Sequence, residues 1–272
     1  MSLWLDDGGS RQGNWNRRYT ISLFLLLAFA TSSTAVTNAD DKQALIDLFH
    51  ATNGNEWTEG FRWARGVEID LDPCDDSEFF KGVSCTGTLL EPDRRVQSLL
   101  LSYLNLNGTL PESLGSLTYL ESMYITANSI EGHIPQSFCN MTMLQTFDAA
   151  KNFLTGPIPT CVGDLQNLIK LDLRSNRLTG TIPPGFGKIL QLQQLFLSEN
   201  QLSGTIPADL YNARRLEKLL LSYNQLTGTI PQVWSRFKMK ETVAMTGLNW
   251  LDVRGNQLTG TYPTVVADFG AV

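Results

Sequence analysis

Few residues in this 272-residue chain are of the types that carry chemistry, and their spacing excludes most of it. The two histidines, His50 and His133, have no cysteine or carboxylate partners at metal-ligand spacing. No GxSxG, HExxH or phosphate-loop motif is present. No metal, cofactor or enzyme activity is therefore expected. The acidic run Asp70, Asp72, Asp75, Asp76 invites a calcium reading, but it lacks the glycine and terminal glutamate of an EF-hand loop and reads as a solvated acidic loop. Asp148 and Asp172 fall on neighbouring strands and could meet like a catalytic pair. With no pocket-forming loop beside them, they read as part of a polar binding face.

The element that positions these residues is a repeat. Asn128, Asn152, Asn176, Asn200 and Asn224 follow one another at intervals of 24 residues, and the pattern returns at Asn256. A period of this length marks a solenoid, in which each unit covers its neighbour's apolar edge. In the unit Leu168 to Pro183, Leu171 and Leu173 alternate with Asp172 and Arg174, the period-2 signature of a strand with one buried and one wet face. Asn176 should satisfy backbone groups where the chain turns off the strand, so that stacked units form an asparagine ladder. Gly180 permits the next bend, Ile182 returns to the core, and Phe186 to Ile189 should make a short helical turn on the convex side. The strand pairs Leu99/Leu101, Met123/Ile125, Phe147/Ala149, Leu171/Leu173, Leu195/Leu197, Leu219/Leu221 and Leu251/Val253 define seven units. An insertion near residues 238–245 lengthens the interval before the last.

The wet side of the stacked strands should present Tyr103, Tyr124, Asp148, Lys151, Asp172, Arg174, Phe196, Glu199, Tyr223, Trp250, Asp252 and Arg254 on one concave face. Aromatics and arginines mixed with acids are what protein interfaces favour, so this is the candidate ligand-binding surface. A formal charge of −6, from 21 basic and 27 acidic residues without a basic stripe, argues against nucleic acid. Arg11, Arg17 and Arg18 precede the apolar run Ile21 to Ala30, and small residues follow, so residues 1–35 read as a secretory signal peptide or, if uncleaved, a signal anchor forming a membrane tether. Either way the repeats should face outward. Asp40 or Asp41 is expected to cap a helix from Lys42 to Thr52 that covers the first repeat. Two sequons, at Asn107 and Asn140, fall outside the concave strand positions and are expected to carry glycans.

The consensus LxxLxLxxNxLTGxIPxxL is similar to the plant-type class of leucine-rich repeats found in receptor-like proteins, receptor-kinase ectodomains and polygalacturonase inhibitors. ALIDLFHATNGNEW, Trp63, Cys74 and FKGVSC resemble that family's amino-terminal cap, with Phe80 where the family usually has tryptophan. The resemblance implies an α/β repeat solenoid, a horseshoe with a parallel concave sheet and short convex helical turns. Residues 36–94 would be the cap, 95–266 the seven repeats and 267–272 a short tail. It also implies a disulfide between Cys74 and Cys85. Cys139 and Cys161 occupy nearly equivalent convex positions of adjacent repeats; a second bridge is expected there, two free thiols being the alternative. By function, the resemblance points to a secreted or surface-tethered recognition module for a protein, peptide or wall glycan. An inhibitor of a wall-degrading hydrolase is a second reading. A scaffolding or adhesion protein is a third, as is an ice-binding protein built on Thr179/Thr181, Ser203/Thr205, Thr227/Thr229 and Thr259/Thr261, for which antifreeze members of the class set a precedent.

Overall fold

The structure is a computed structural model that describes residues 37–68, 70–75, 78–87, 93–232 and 248–260. The chain divides into compact units of residues 1–34 and 35–272, and all described residues lie in the second. The expected signal segment 1–35, Asp76, the insertion near 238–245 and the tail 267–272 lie outside the described residues.

Solvation decides how the cap begins. The first helix spans Ala39–Ala51, and its N-cap is Asn38, whose side chain accepts from the Asp40 amide at 3.1 Å. Neither Asp40 nor Asp41 caps it, contrary to expectation, because Asp41 is turned into the interior. There its carboxylate, fully buried, takes two hydrogen bonds from Arg95, at 2.7 and 3.0 Å, and one from the Val96 amide at 2.8 Å. That helix and a second, Gly60–Glu68, enclose an aromatic cluster of Phe49, Trp57, Trp63 and Phe80. Phe80 packs edge-on against Trp63 with ring centroids 5.1 Å apart, so it fills the tryptophan's packing role. Cys74 and Cys85 are bonded, with Cα atoms 5.7 Å apart.

The acidic loop is not simply solvated. Asp70 pairs with Lys42, Asp75 with the buried Arg94, and Asp72 accepts from Thr37 and from the Cys74 amide. Asp72 therefore ties Thr37 to the disulfide-bonded Cys74. Burial opposes ionisation of Asp72, but the Thr37 and Cys74 hydrogen bonds and the Arg94 charge outweigh it and lower its pKa.

An eight-stranded sheet carries the repeats. The cap contributes Val83–Cys85, antiparallel to Val96–Leu100; then Ser122–Tyr124, Thr146–Asp148, Lys170–Asp172, Gln194–Phe196, Lys218–Leu220 and Trp250–Asp252 follow in parallel. Lys218 stands opposite Trp250, so the long interval before the last unit leaves the register intact. The inward leucines of every unit are buried, only Leu251 being partly so. The asparagine ladder is present. Asn176, for example, accepts from the Leu154 amide of the preceding repeat and donates to Ala149 O of that repeat and Leu173 O of its own. Where the first unit has Leu104 in place of asparagine, Leu104 O accepts from Thr58 of the cap.

Short 3-10 turns line the convex side, among them Gln136–Asn140, Thr160–Asp164 and Pro184–Lys188, the last beginning two residues before the expected Phe186. Cys139 and Cys161, at the first two, are bonded with Cα atoms 5.9 Å apart. Beside the main sheet lie a four-stranded and a three-stranded parallel ladder, joined by a bridge between Thr181 and Ser203. Asn107 lies in the first of these ladders, on Asn107–Thr109, and Asn140 ends a 3-10 turn; both are exposed and outside the main sheet.

The threonine columns have an internal use. Gly204, at φ +75°, would place a Cβ only 2.9 Å from the Thr181 methyl, so glycine is required where successive repeats touch. The hydroxyls of Thr155, Ser203, Thr227 and Thr259 donate to glycine carbonyls one repeat back. Ser203, Thr227 and Thr259 of the expected array thus bond within the stack itself, and Thr261 lies outside the described residues.

Candidate functional site: the concave sheet

The strand register sorts the concave side chains into rows. One runs Leu100, Tyr124, Asp148, Asp172, Phe196, Leu220, Asp252, one residue per strand. A parallel row includes Lys170, Gln194, Lys218 and Trp250. Beyond the strand ends, Tyr103, Lys151, Glu199 and Tyr223 all take the left-handed conformation, with φ between 54° and 61°, and stand exposed before the turn into the next ladder position. Their amides donate across to the following repeat, which holds this strained turn in place.

The centre of the face is internally neutralised. Lys170 lies between Asp148, at 2.6 Å, and Asp172, at 3.8 Å. Arg174 grips Asp172 in bidentate fashion at 2.7 and 2.9 Å and stacks its guanidinium 4.9 Å from the Phe196 ring centre. Phe196 is therefore only 7 % exposed and Asp172 only 1 %, so neither is freely presented as expected: the arginine covers the one ring and neutralises the other side chain. Ser175 donates to Glu199 at 2.6 Å, and Arg254 holds Asp252 in a second bidentate pair at 2.9 Å. Tyr103, Thr126, Asp148, Lys151, Arg174 and Glu199 rim a shallow depression over this centre.

Asp148 and Asp172 do stand side by side, but the chemistry differs from that of an acid pair. Burial opposes the charge on Asp148, yet hydrogen bonds from Lys170 and Thr126 and the lysine charge prevail, and its pKa is lowered. Cations stand where a proton-sharing pair would hold its proton, because Lys170 reaches both carboxylates and Arg174 grips Asp172. Because its folded pKa lies below the unfolded value near 3.9, Asp148 should contribute stability that is complete above about pH 4 and lost as pH falls through the folded value. Asp148→Asn should accordingly flatten the acid limb of a stability-versus-pH curve and leave its shape unchanged between about pH 6 and 8. An unaltered acid limb in urea unfolding at stepped pH would refute the role given to this carboxylate.

Reading the repeat missed several residues on this face. Lys170, Lys218 and Thr126 follow from the same alternation, extended one position either side of the buried pair. Leu100, 54 % exposed, was masked because the run Leu99 to Leu101 shows no alternation at all. Among the described residues no group of three or more His, Cys, Asp or Glu side chains could hold a metal, and no helix is long and apolar enough to cross a membrane.

Parallel strands at a 24-residue period, an asparagine ladder and a disulfide-bonded helical cap define a leucine-rich-repeat solenoid, similar to the ectodomains of plant receptor kinases. Leucine rich repeat models match residues 166–226 and 119–141. Among solved structures it is similar to the plant peptide hormone receptor RGFR1 in complex with RGF2, at 34% identity and TM-score 0.56, over 61% of this chain and 25% of that one. It is similar to the ectodomain of the receptor kinase GASSHO1/SCHENGEN3 from Arabidopsis thaliana in complex with CASPARIAN STRIP INTEGRITY FACTOR 2, at 31% identity and TM-score 0.54, over 72% and 28%. A pollen receptor kinase 3 matches at 27% identity and TM-score 0.58, over 71% and 86%. The chain thus spans roughly a quarter of the first two. No curated protein matches the sequence.

Proposed function

We propose that this chain is a recognition module displayed outside the cell, secreted or tethered by its amino-terminal segment, that binds a protein or peptide ligand on the concave sheet. The observation that carries the reading is the exposure of Leu100, Tyr103, Tyr223 and Trp250, each between 54 and 69 %, on one face whose aspartates, Asp148, Asp172 and Asp252, are paired with Lys170, Arg174 and Arg254. Exposed rings and leucines beside neutralised polar groups bury on contact at low desolvation cost, as interface centres require. The similar receptors seen in complex with RGF2 and with CASPARIAN STRIP INTEGRITY FACTOR 2 support a polypeptide ligand. Two disulfides suit an oxidising compartment. Glycans at Asn107 and Asn140, both away from the main sheet, would leave that face open.

Affinity capture with the secreted protein tests this. A polypeptide it retains should lose binding at least roughly a hundredfold when Tyr124, Tyr223 and Trp250 are changed together to alanine, since central aromatics dominate interface energies. Retention of the same polypeptide at unchanged affinity would place the ligand on another face.

A further inference from the structure

One pentapeptide occurs twice on the concave sheet. Leu99 to Tyr103 and Leu219 to Tyr223 both read Leu-Leu-Leu-Ser-Tyr, and the fold treats the two copies alike. In each, the outer leucines are buried while the middle one, Leu100 or Leu220, stands on the solvent side of its strand; Leu100 is 54 % exposed and Leu220 partly so. Each tyrosine takes the left-handed turn, at φ 61° and 54°, and keeps its ring 69 and 59 % exposed.

The register fixes the separation of the copies. Leu100 and Leu220 lie in one row with four strands between them. Five inter-strand steps of ~4.8 Å put them ~24 Å apart, which an extended chain at ~3.3 Å per residue crosses in about seven residues. The ground between is the neutralised centre, where a charged ligand group would have to compete with Lys170 for Asp148 or with Arg174 for Asp172. Either copy alone offers a leucine and a tyrosine, too little apolar area for stable docking. Joined through one ligand, the second contact forms at high effective concentration.

We propose that the two Leu-Leu-Leu-Ser-Tyr copies are paired anchors for a single extended polypeptide lying across the strands, with an apolar side chain at each copy about seven residues apart and uncharged polar residues between. This rests on the concave-face reading above and specifies its ligand. The probe is a displayed library of linear twelve-residue peptides selected on the secreted full-length protein. Enriched peptides should share two apolar residues six to eight positions apart without a charge between them. Leu100→Ser and Leu220→Ser, both surface changes, should each weaken a selected peptide about tenfold. A synthetic series on the unmodified protein, with the apolar pair moved to four apart, should lose a similar factor and does not depend on how any variant folds. Peptides that are lost on Tyr124→Ala yet show no paired spacing, or that ignore either serine substitution, would overturn the two-anchor inference and leave the concave-face reading standing. Peptides indifferent to every concave substitution, or no enrichment at all, would overturn both.

Discussion

Asp41→Ala is expected to destabilise the protein by about 3 kcal/mol, because it strips a buried carboxylate from Arg95 and from the Val96 amide at once. The helix that carries Asp41 covers the open edge of the first repeat, and Val96 begins the strand on which the parallel stack is laid. The carboxylate is therefore a bolt between cap and solenoid. Arg95 also reaches Ser116 O, Thr118 and the Tyr119 ring, so the unpaired guanidinium would remain held near the interior after the change. Urea unfolding followed by far-ultraviolet dichroism measures the loss. Pairing Asp41→Leu with Arg95→Met should recover a large part of it, since replacing both members removes the stranded charge. If Asp41→Ala shifted the midpoint by less than the error of the fit, this carboxylate would not be what bolts the cap to the solenoid.

Asn176→Leu should cost a comparable amount, about 2–4 kcal/mol, by leaving the Leu154 amide without an acceptor inside the stack and taking one of two donors from each of the Ala149 and Leu173 carbonyls, which keep only Asn152 and Asn200. Asn176→Asp separates the two halves of that account. It keeps an acceptor for Leu154 but turns a carboxylate oxygen toward two carbonyls, which disfavours the ionised form and raises its folded pKa. Its destabilisation should then be greatest at pH 7 and shrink as pH falls toward 4, where the protonated acid can donate. A cost independent of pH would show that the amide serves as a spacer and not as a donor.

Much of the stack was legible because it depends on spacing. Asn128, Asn152, Asn176, Asn200 and Asn224 predict their own ladder, and the glycines predict the bends, since each answers a local backbone need that recurs every 24 residues. The cap was legible less completely. Its helix followed from periodicity, but an aspartate near a helix start looks the same whether it caps the helix or pairs with an arginine 54 residues away; in Asp41 the second demand won because only it satisfies a buried charge. The acidic loop was misjudged for the same reason, its partners Thr37, Lys42 and Arg94 being distant in sequence.

The candidate face divides along the same line. Within strands whose apolar and polar residues alternate, the sequence determined which residues point away from the core, because a side-chain period of two admits no other arrangement. Which of them remain available was decided only when neighbouring strands met. Phe196 and Asp172 are of the right type and on the right side, yet Arg174 covers the first and neutralises the second. Leu100 looked like one more core leucine and is instead exposed. Sequence period thus sets direction along one strand, whereas exposure and charge pairing are properties of adjacent strands some 24 residues apart, and only the packed sheet brings those together.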